Sequence, residues 1–520
     1  MTKSIHRFAV LALCLSLALA VTVQARAQAQ QRPPEYAEIM AASQLTDPAA
    51  RLKELERIKA AYPTSRFMAA VNRGILMSKI ELAETFDAVL ALQKEFLAEV
   101  KGPGRLQGPY RAAEQILTHP KLKTFDPAAV ISAVLSYRDQ AVKASSEPGV
   151  MEGIPGPQQS AFRSYVLNGF GILAAQAYLN AGDAAKTIAA LDAFKADGGS
   201  PDASFYYTLG GADNLLGRTK EAYDAFLSAA ADNYPEALPA AKELYIKLNG
   251  KADGFDAALE TKFRALPYAP EPFKAPSGWK GKTVLAELFT GSECPPCVGS
   301  DLAFDGLIES YPARYLAVLE YHLPIPRPDP MINAASKERQ TYYGVMSTPT
   351  VVIDGEKDTS GGGARSAAEG KFKQYKAAID GRLAAVPEAV LKVAAARTGD
   401  TVKVECDAGR PVAGAEYHIV LVQGEELYKG SNGLMYHKMV VRDLVSVDPA
   451  GAKTASFDLA ASEQKADHYL TDFERTNPRF PGFKFAERHN TIDRGRLRVV
   501  FFAQDAATKK VLNAAVADVK

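Results

Sequence analysis

Val284-Leu285-Ala286-Glu287-Leu288-Phe289-Thr290-Gly291-Ser292-Glu293-Cys294-Pro295-Pro296-Cys297 is the stretch that decides the fold. Val284 to Phe289 is an apolar run of strand character, and the residues after Cys297 take up a helical period. The two cysteines therefore stand at a strand-to-helix turn. About fifty residues later Ser347-Thr348-Pro349-Thr350 opens a second strand, Thr350 to Ile353. A helix N-terminus carries partial positive charge, which favours thiolate over thiol at Cys294. The pattern predicts thiol–disulfide exchange, with Cys294 exposed and attacking and Cys297, one turn further in, resolving the mixed disulfide.

Neither Pro295 nor Pro296 has a backbone N–H to offer the Cys294 sulfur, and Glu293 sets a carboxylate beside it. Both disfavour the thiolate, and a less stabilised thiolate belongs to a disulfide that is harder to reduce. The expected couple is reducing or intermediate, below about −200 mV. Glu287 shares a strand face with Leu285 and Phe289. It points either into the core, where an unserved carboxylate is costly, or to an edge with solvent access.

The chain of 520 residues is 47% hydrophobic and 23% charged, enough for three domains with cores of their own. Its formal charge of +1 gives no electrostatic reason to expect nucleic acid or an anionic membrane as partner. Lys3 and Arg7, the apolar run Phe8 to Val23 and Ala25-Arg26-Ala27 have the order of an export signal, residues 1–27, cleaved after Ala27 or Ala29. The expected location is periplasmic or secreted. Leu13 before Cys14 is too bulky for a lipoprotein processing site. The mature chain then holds Cys294, Cys297 and Cys406, an odd number that argues against a disulfide framework.

Residues 28–266 are Ala-rich and helical in period. Tyr206, Leu209, Gly210, Gly217, Ala222, Phe226 and Ala229 resemble a tetratricopeptide repeat, and Tyr178, Gly182 and Leu191 repeat part of it. A repeat-like array and an irregular helical bundle both fit, and in either case this domain is expected to contact a protein partner. Residues 267–281 are too rich in proline to continue a helix and read as a linker, with Trp279 pinning it to the next domain. From 282 to 386 the expected order is strand 283–289, helix 298–310, strand 314–321, helix 332–343, strand 350–353 and helix 366–385. Residues 387–520 alternate in short runs and predict a β-sandwich of immunoglobulin-like size. The fold class is therefore multidomain, α then α/β then β.

Residues 282–386 resemble the thioredoxin-like superfamily, and more narrowly an uncharacterised family of secreted bacterial thioredoxin-like proteins. The shared run is Glu287-Leu288-Phe289-Thr290 before the CxxC, then Asp329-Pro330, Arg339-Gln340, Tyr343, Thr348-Pro349 and Asp354-Gly355. The resemblance implies a cis bond before Pro349. Thr348, Pro295 and Pro296 would then line the groove for an extended substrate, with Pro349 shielding the dithiol from metal. It also implies that Glu287 relays the proton of the resolving cysteine, although here it stands one residue further from the first cysteine than the family's acid. The family carries no settled activity.

His322 with the two thiols invites a copper or zinc site, but the two-residue spacing stiffened by prolines favours redox chemistry, with no metal and no cofactor. His322 is expected near the rim of the site, and His418 and His437 receive no role. Cys406 is in phase with Val402 and Val404 and reads as a buried inert thiol. Gly361-Gly362-Gly363 is not a phosphate loop, since no Lys-Ser/Thr follows it. Two functions stand. One is an exported oxidoreductase acting on protein thiols or disulfides, fed by a membrane electron donor. The other is a non-catalytic envelope binding or assembly protein with a fixed Cys294–Cys297 disulfide.

Overall fold

A computed structural model of the chain describes residues 33–358, 361–448 and 453–520, and the export signal expected over residues 1–27 lies outside them. The chain divides into two compact units between Gly199 and Ser200. Among the described residues no helix is long and apolar enough to cross a membrane.

Up to Gly199 the described chain is helical. It runs through α1 (Pro34–Ser43), α2 (Pro48–Ala61), α3 (Met68–Glu81), α4 (Phe86–Glu99), α5 (Gly104–Leu117), α6 (Pro127–Ser145), α7 (Gly156–Asn180) and α8 (Ala184–Ala196). Asp47 and Asp126 each accept two first-turn amides ahead of a proline, which starts α2 and α6. Val89, Ile116, Val130, Val134 and Phe170 are buried in the main core of this unit.

The second unit begins with α9 (Ala203–Leu215), α10 (Thr219–Ala231), α11 (Ala237–Asn249) and α12 (Phe255–Arg264). Gly210 lets α9 and α10 close up, because a Cβ there would come within 2.9 Å of the Phe226 ring. The two stretches read as repeat hairpins are thus helix pairs, α7–α8 and α9–α10, and the division at Gly199 falls between them. A helical domain ending at residue 266 is not where the chain separates. Helical period marks which face of each helix is buried, not which neighbour covers it.

Eleven strands follow: β1 (Val284–Thr290), β2 (Leu316–His322), β3 (Thr350–Ile353), β4 (Glu356–Asp358), β5 (Lys392–Thr398), β6 (Thr401–Asp407), β7 (Ala415–Leu427), β8 (Tyr436–Val447), β9 (Thr454–Asp458), β10 (Leu497–Asp505) and β11 (Val511–Asp518). Four helices are interspersed: α13 (Val298–Ser310), α14 (Ala334–Tyr343), α15 (Ala368–Leu383) and α16 (Leu459–Thr476). The strands form a mixed eight-stranded sheet in the order β11-β10-β7-β8-β2-β1-β3-β4 and a separate three-stranded sheet, β5-β6-β9. β1 and β2 are parallel, while β3 runs antiparallel to β1 and β4 antiparallel to β3.

This corrects the expectation of a self-standing β-sandwich over 387–520. Sheet-on-sheet packing is present: Val402, Val404, Cys406 and Phe457 of the small sheet bury against Ile419, Leu421, Val499 and Phe501. The larger sheet, however, is shared with the CxxC segment, because β8 pairs with β2 at Glu320 and Val440. The sheet curls until β11 meets β1 and β3 again: Asn513 Oδ1 accepts from the Thr283 amide at 2.9 Å, and the Val511 amide donates to Asp354 O at 3.1 Å. Alternation predicted the strands but carries no information on which sheet they join. It also missed α16, whose start Asp458 caps by accepting from the Ala461 amide. The linker segment packs on this unit, with the Trp279 ring 4.6 Å from that of Tyr315.

Candidate active site

The β1 residues alternate between two faces. Ala286, Leu288 and Thr290 share one with Val318, Glu320 and His322 of β2, since Thr290 and His322 are register partners. α13 covers this face, where Asp301 Oδ1 accepts from Thr290 Oγ1 at 2.7 Å. Leu285, Glu287 and Phe289 look the other way, and the Phe289 ring stacks on Tyr321 at 5.0 Å.

At the end of β1 the chain turns through Gly291 to Glu293 into Cys294, and Pro295 to Cys297 make a single 3₁₀ turn before α13 begins. Cys294 and Cys297 form a disulfide. Thr348 Oγ1 lies 3.3 Å from Cys294 Sγ and donates to Ile325 O at 2.8 Å. The Thr348–Pro349 bond is cis, as is Ile325–Pro326. Pro295 and Pro296 are exposed, but Cys294 is not: both cysteines are 0% exposed, which corrects the expectation of an exposed Cys294. The turn is enclosed by segments distant in sequence.

Three such segments hold it. The glycine run packs behind the turn, with the Gly363 amide donating to Pro296 O at 2.7 Å and the Gly299 amide to Gly363 O at 2.8 Å. A Cβ on Gly362 would run into the Pro296 carbonyl and the Pro349 ring, so this position needs a glycine. The β7–β8 connection lies along the other side: the Asn432 amide donates to Ser292 O at 3.1 Å, and Asn432 Nδ2 to Gly291 O at 3.3 Å. The same connection satisfies the Glu293 carboxylate through the Ser431 amide at 3.3 Å and the Tyr428 hydroxyl at 3.4 Å. Third, buried Asp329 accepts from the Ser292 amide at 2.6 Å, Ser292 Oγ at 2.8 Å and the Met331 amide at 2.8 Å, and pairs with His322 Nδ1 at 3.0 Å. Burial alone would raise the Asp329 pKa, but His322 and the two amides outweigh it and hold the carboxyl at about 2.

Glu287 does not reach this face. Its Oε1 accepts from Arg339 Nη2 at 2.8 Å and Nε at 3.1 Å and from the Tyr321 hydroxyl at 3.2 Å, while Oε2 accepts from the Tyr343 hydroxyl at 2.6 Å. Gln504 of β10 completes the cluster, accepting from Arg339 Nη1 at 3.0 Å. The one-residue difference in spacing that separates Glu287 from the family's acid turns its side chain to the opposite side of the strand. The proton-relay expectation for Glu287 is therefore corrected: its charge is consumed by Arg339 on α14.

On the α13 face the buried carboxyls are Asp301, Asp305 and Glu320. Burial pushes the Asp301 carboxyl up to about 7 and Asp305 to about 6, and Glu320 is also raised, by burial first and then by Asp301 and Asp305. Among the described residues Asp301 Oδ2, Glu320 Oε1 and His322 Nε2 have no hydrogen-bond partner. His322 is fully buried rather than at the rim, and its ring stands edge-on to His437 at 5.1 Å. Burial and His322 keep His437 neutral, with its pKa down at about 3. Asp301 carried no sequence signal of its own, since an acid in the first turn of a helix is commonplace. Among the described residues no group of three His, Cys, Asp or Glu side chains is arranged to hold a metal ion.

No family model matches the chain, and no curated protein or solved structure matches it.

Proposed function

We propose that this chain is an exported thiol–disulfide oxidoreductase acting on protein disulfides through Cys294 and Cys297. The observation that carries this is the disulfide at the head of α13 with the Thr348 hydroxyl 3.3 Å from the Cys294 sulfur. The order and directions of β2-β1-β3-β4, with α14 behind β1 and α13 and α15 on the other face, support a thioredoxin-like fold for residues 282–386. The three-stranded sheet against β7 and β10 supports a sandwich-like layer, one sheet of which serves both halves.

In the reducing direction the Cys294 thiolate attacks one sulfur of a substrate disulfide, forming a mixed disulfide and releasing the other substrate sulfur as a thiolate. Cys297 then attacks Cys294, closing the protein disulfide and releasing the second substrate thiolate. The Cys297 amide already donates to Cys294 O at 3.0 Å, and both prolines lack a donor. The Thr348 hydroxyl is the polar group placed to stabilise a Cys294 thiolate. Thr348, Pro295, Pro296 and Pro349 border the site, and a membrane electron donor would regenerate the dithiol. No cofactor takes part. In the helical unit a groove of about 450 Å³ lined by Arg138, Tyr178 and Lys186 supports a role in holding a protein partner.

The complete burial of Cys294 favours a second function, an envelope binding or assembly protein with a fixed disulfide. One experiment separates the two. Expressed in a bacterial envelope, Cys297→Ala traps mixed disulfides through Cys294 if exchange occurs. No captured partner, together with background reduction of insulin by the wild type, leaves the fixed-disulfide scaffold.

A further inference from the structure

We propose that Asp301, beside the Asp329-anchored His322, accepts the proton that Cys297 loses when it attacks the mixed disulfide, a step that rests on the exchange function above. Asp301 lies four residues after Cys297 on one continuous helical turn, and side chains at that spacing are neighbours, with Cβ atoms about 5–6 Å apart. Thr290 holds one carboxyl oxygen at 2.7 Å, and the other, Oδ2, has no partner although the residue is buried. His322 stands opposite Thr290 on the same face, with Nδ1 committed to Asp329 at 3.0 Å and Nε2 without a partner.

A buried polar atom left unsatisfied costs about 1–3 kcal/mol, and such atoms in a native protein call for an explanation, among them a catalytic role. Here two, Asp301 Oδ2 and His322 Nε2, lie behind the first turn of the helix that carries the disulfide, and a third, Glu320 Oε1, is on the neighbouring strand position of the same face. The charged and titratable groups around Asp301 are Asp305 on α13, Glu320 and His322 on β2, Asp329 in the following loop, and His437 and Lys438 on β8. Burial leaves Asp301 near neutrality, where an acid exchanges protons in both directions. Glu287, the acid that spacing brought forward, is on the opposite face with Arg339.

The step balances as follows. The Cys297 S–H proton passes to Asp301 Oδ2, the Cys297 sulfur bonds to the Cys294 sulfur, and the Cys294–substrate S–S bond breaks. The substrate sulfur leaves with the electron pair as a thiolate and takes a proton from water. Asp301 then loses its proton to solvent. His322 is a positioning residue whose Asp329-bound ring sets the local charge.

The test uses the reduced full-length protein and one equivalent of Ellman's reagent, which places a thionitrobenzoate on Cys294. Release of the second thionitrobenzoate, followed by stopped flow from pH 5 to 9, reports attack by Cys297. The wild type is expected to reach a plateau above about pH 7. Asp301→Asn should slow release on the order of 100-fold at pH 7, the size typical of a lost general base, with the rate still climbing at pH 9. Asp301→Glu should restore the plateau. A wild-type rate and profile in Asp301→Asn overturns the proposal, as does a slowing that is equal at every pH and not rescued by Glu. Release of only one equivalent by the wild type defeats the exchange function itself, and this step with it.

Discussion

Replacing Glu287 with Gln removes the anion from a place where the Arg339 cation remains. The wild-type carboxylate takes two hydrogen bonds from Arg339, at 2.8 and 3.1 Å, and one each from Tyr343 and Tyr321, at 2.6 and 3.2 Å. The Arg339 side chain is 2% exposed and that of Glu287 is 0% exposed, so water cannot take over. Breaking one side of such a pair costs roughly 3–5 kcal/mol. Arg339→Met leaves the Glu287 carboxylate with two tyrosine hydroxyls and no cation, and falls in the same range. Because each single change strands a charge that the other removes, the double variant is expected to lose less than the sum, by on the order of 2–3 kcal/mol. Trp279, the single tryptophan, reports on this unit through its ring contact with Tyr315 and its 2.9 Å bond to Lys282 O. Urea unfolding followed by its fluorescence gives the midpoint shift, read as a stability change where the slope is unchanged. A loss under about 1 kcal/mol for Glu287→Gln, the range of an exposed pair, or strictly additive singles, refutes the assignment of this cluster as a buried, mutually dependent pair.

Two further outcomes are expected. Glu293→Gln removes the carboxylate beside Cys294 and should make the couple more oxidising when equilibrated against glutathione. A shift the other way means that another group sets the thiolate. Folded Asp301 keeps its proton up to about 7, whereas unfolded Asp loses it near 4. Its contribution is therefore fully present below pH 4 and lost as pH rises through 7. The stability of the wild type relative to Asp301→Asn should accordingly fall by about 1.4 kcal/mol per pH unit across that window, measured by the same Trp279 signal. A pH-independent difference between the two refutes the buried-acid assignment.

Local order along the chain was readable without coordinates wherever neighbouring residues decide it. The apolar β1, the CPPC turn, α13 and the Pro349-led β3 appear where period and turn residues placed them. The residues behind the family resemblance also prove to be neighbours: Glu287, Arg339 and Tyr343 form one buried cluster, and Asp329 clamps Ser292 beside the redox turn. Which strands share a sheet, and what encloses the disulfide, depended on how the chain closes over long separations. Asn432 reaches Gly291 across 141 residues, and β8 joins β2 through one register pair. Alternation marks a buried face but is blind to the partner that buries it, so the C-terminal strands read as a separate sandwich. The role of Glu287 turned on a single residue of spacing. A strand reverses its side chains at every position, so that step moved the carboxylate away from the cysteines and left Asp301 on the face behind them.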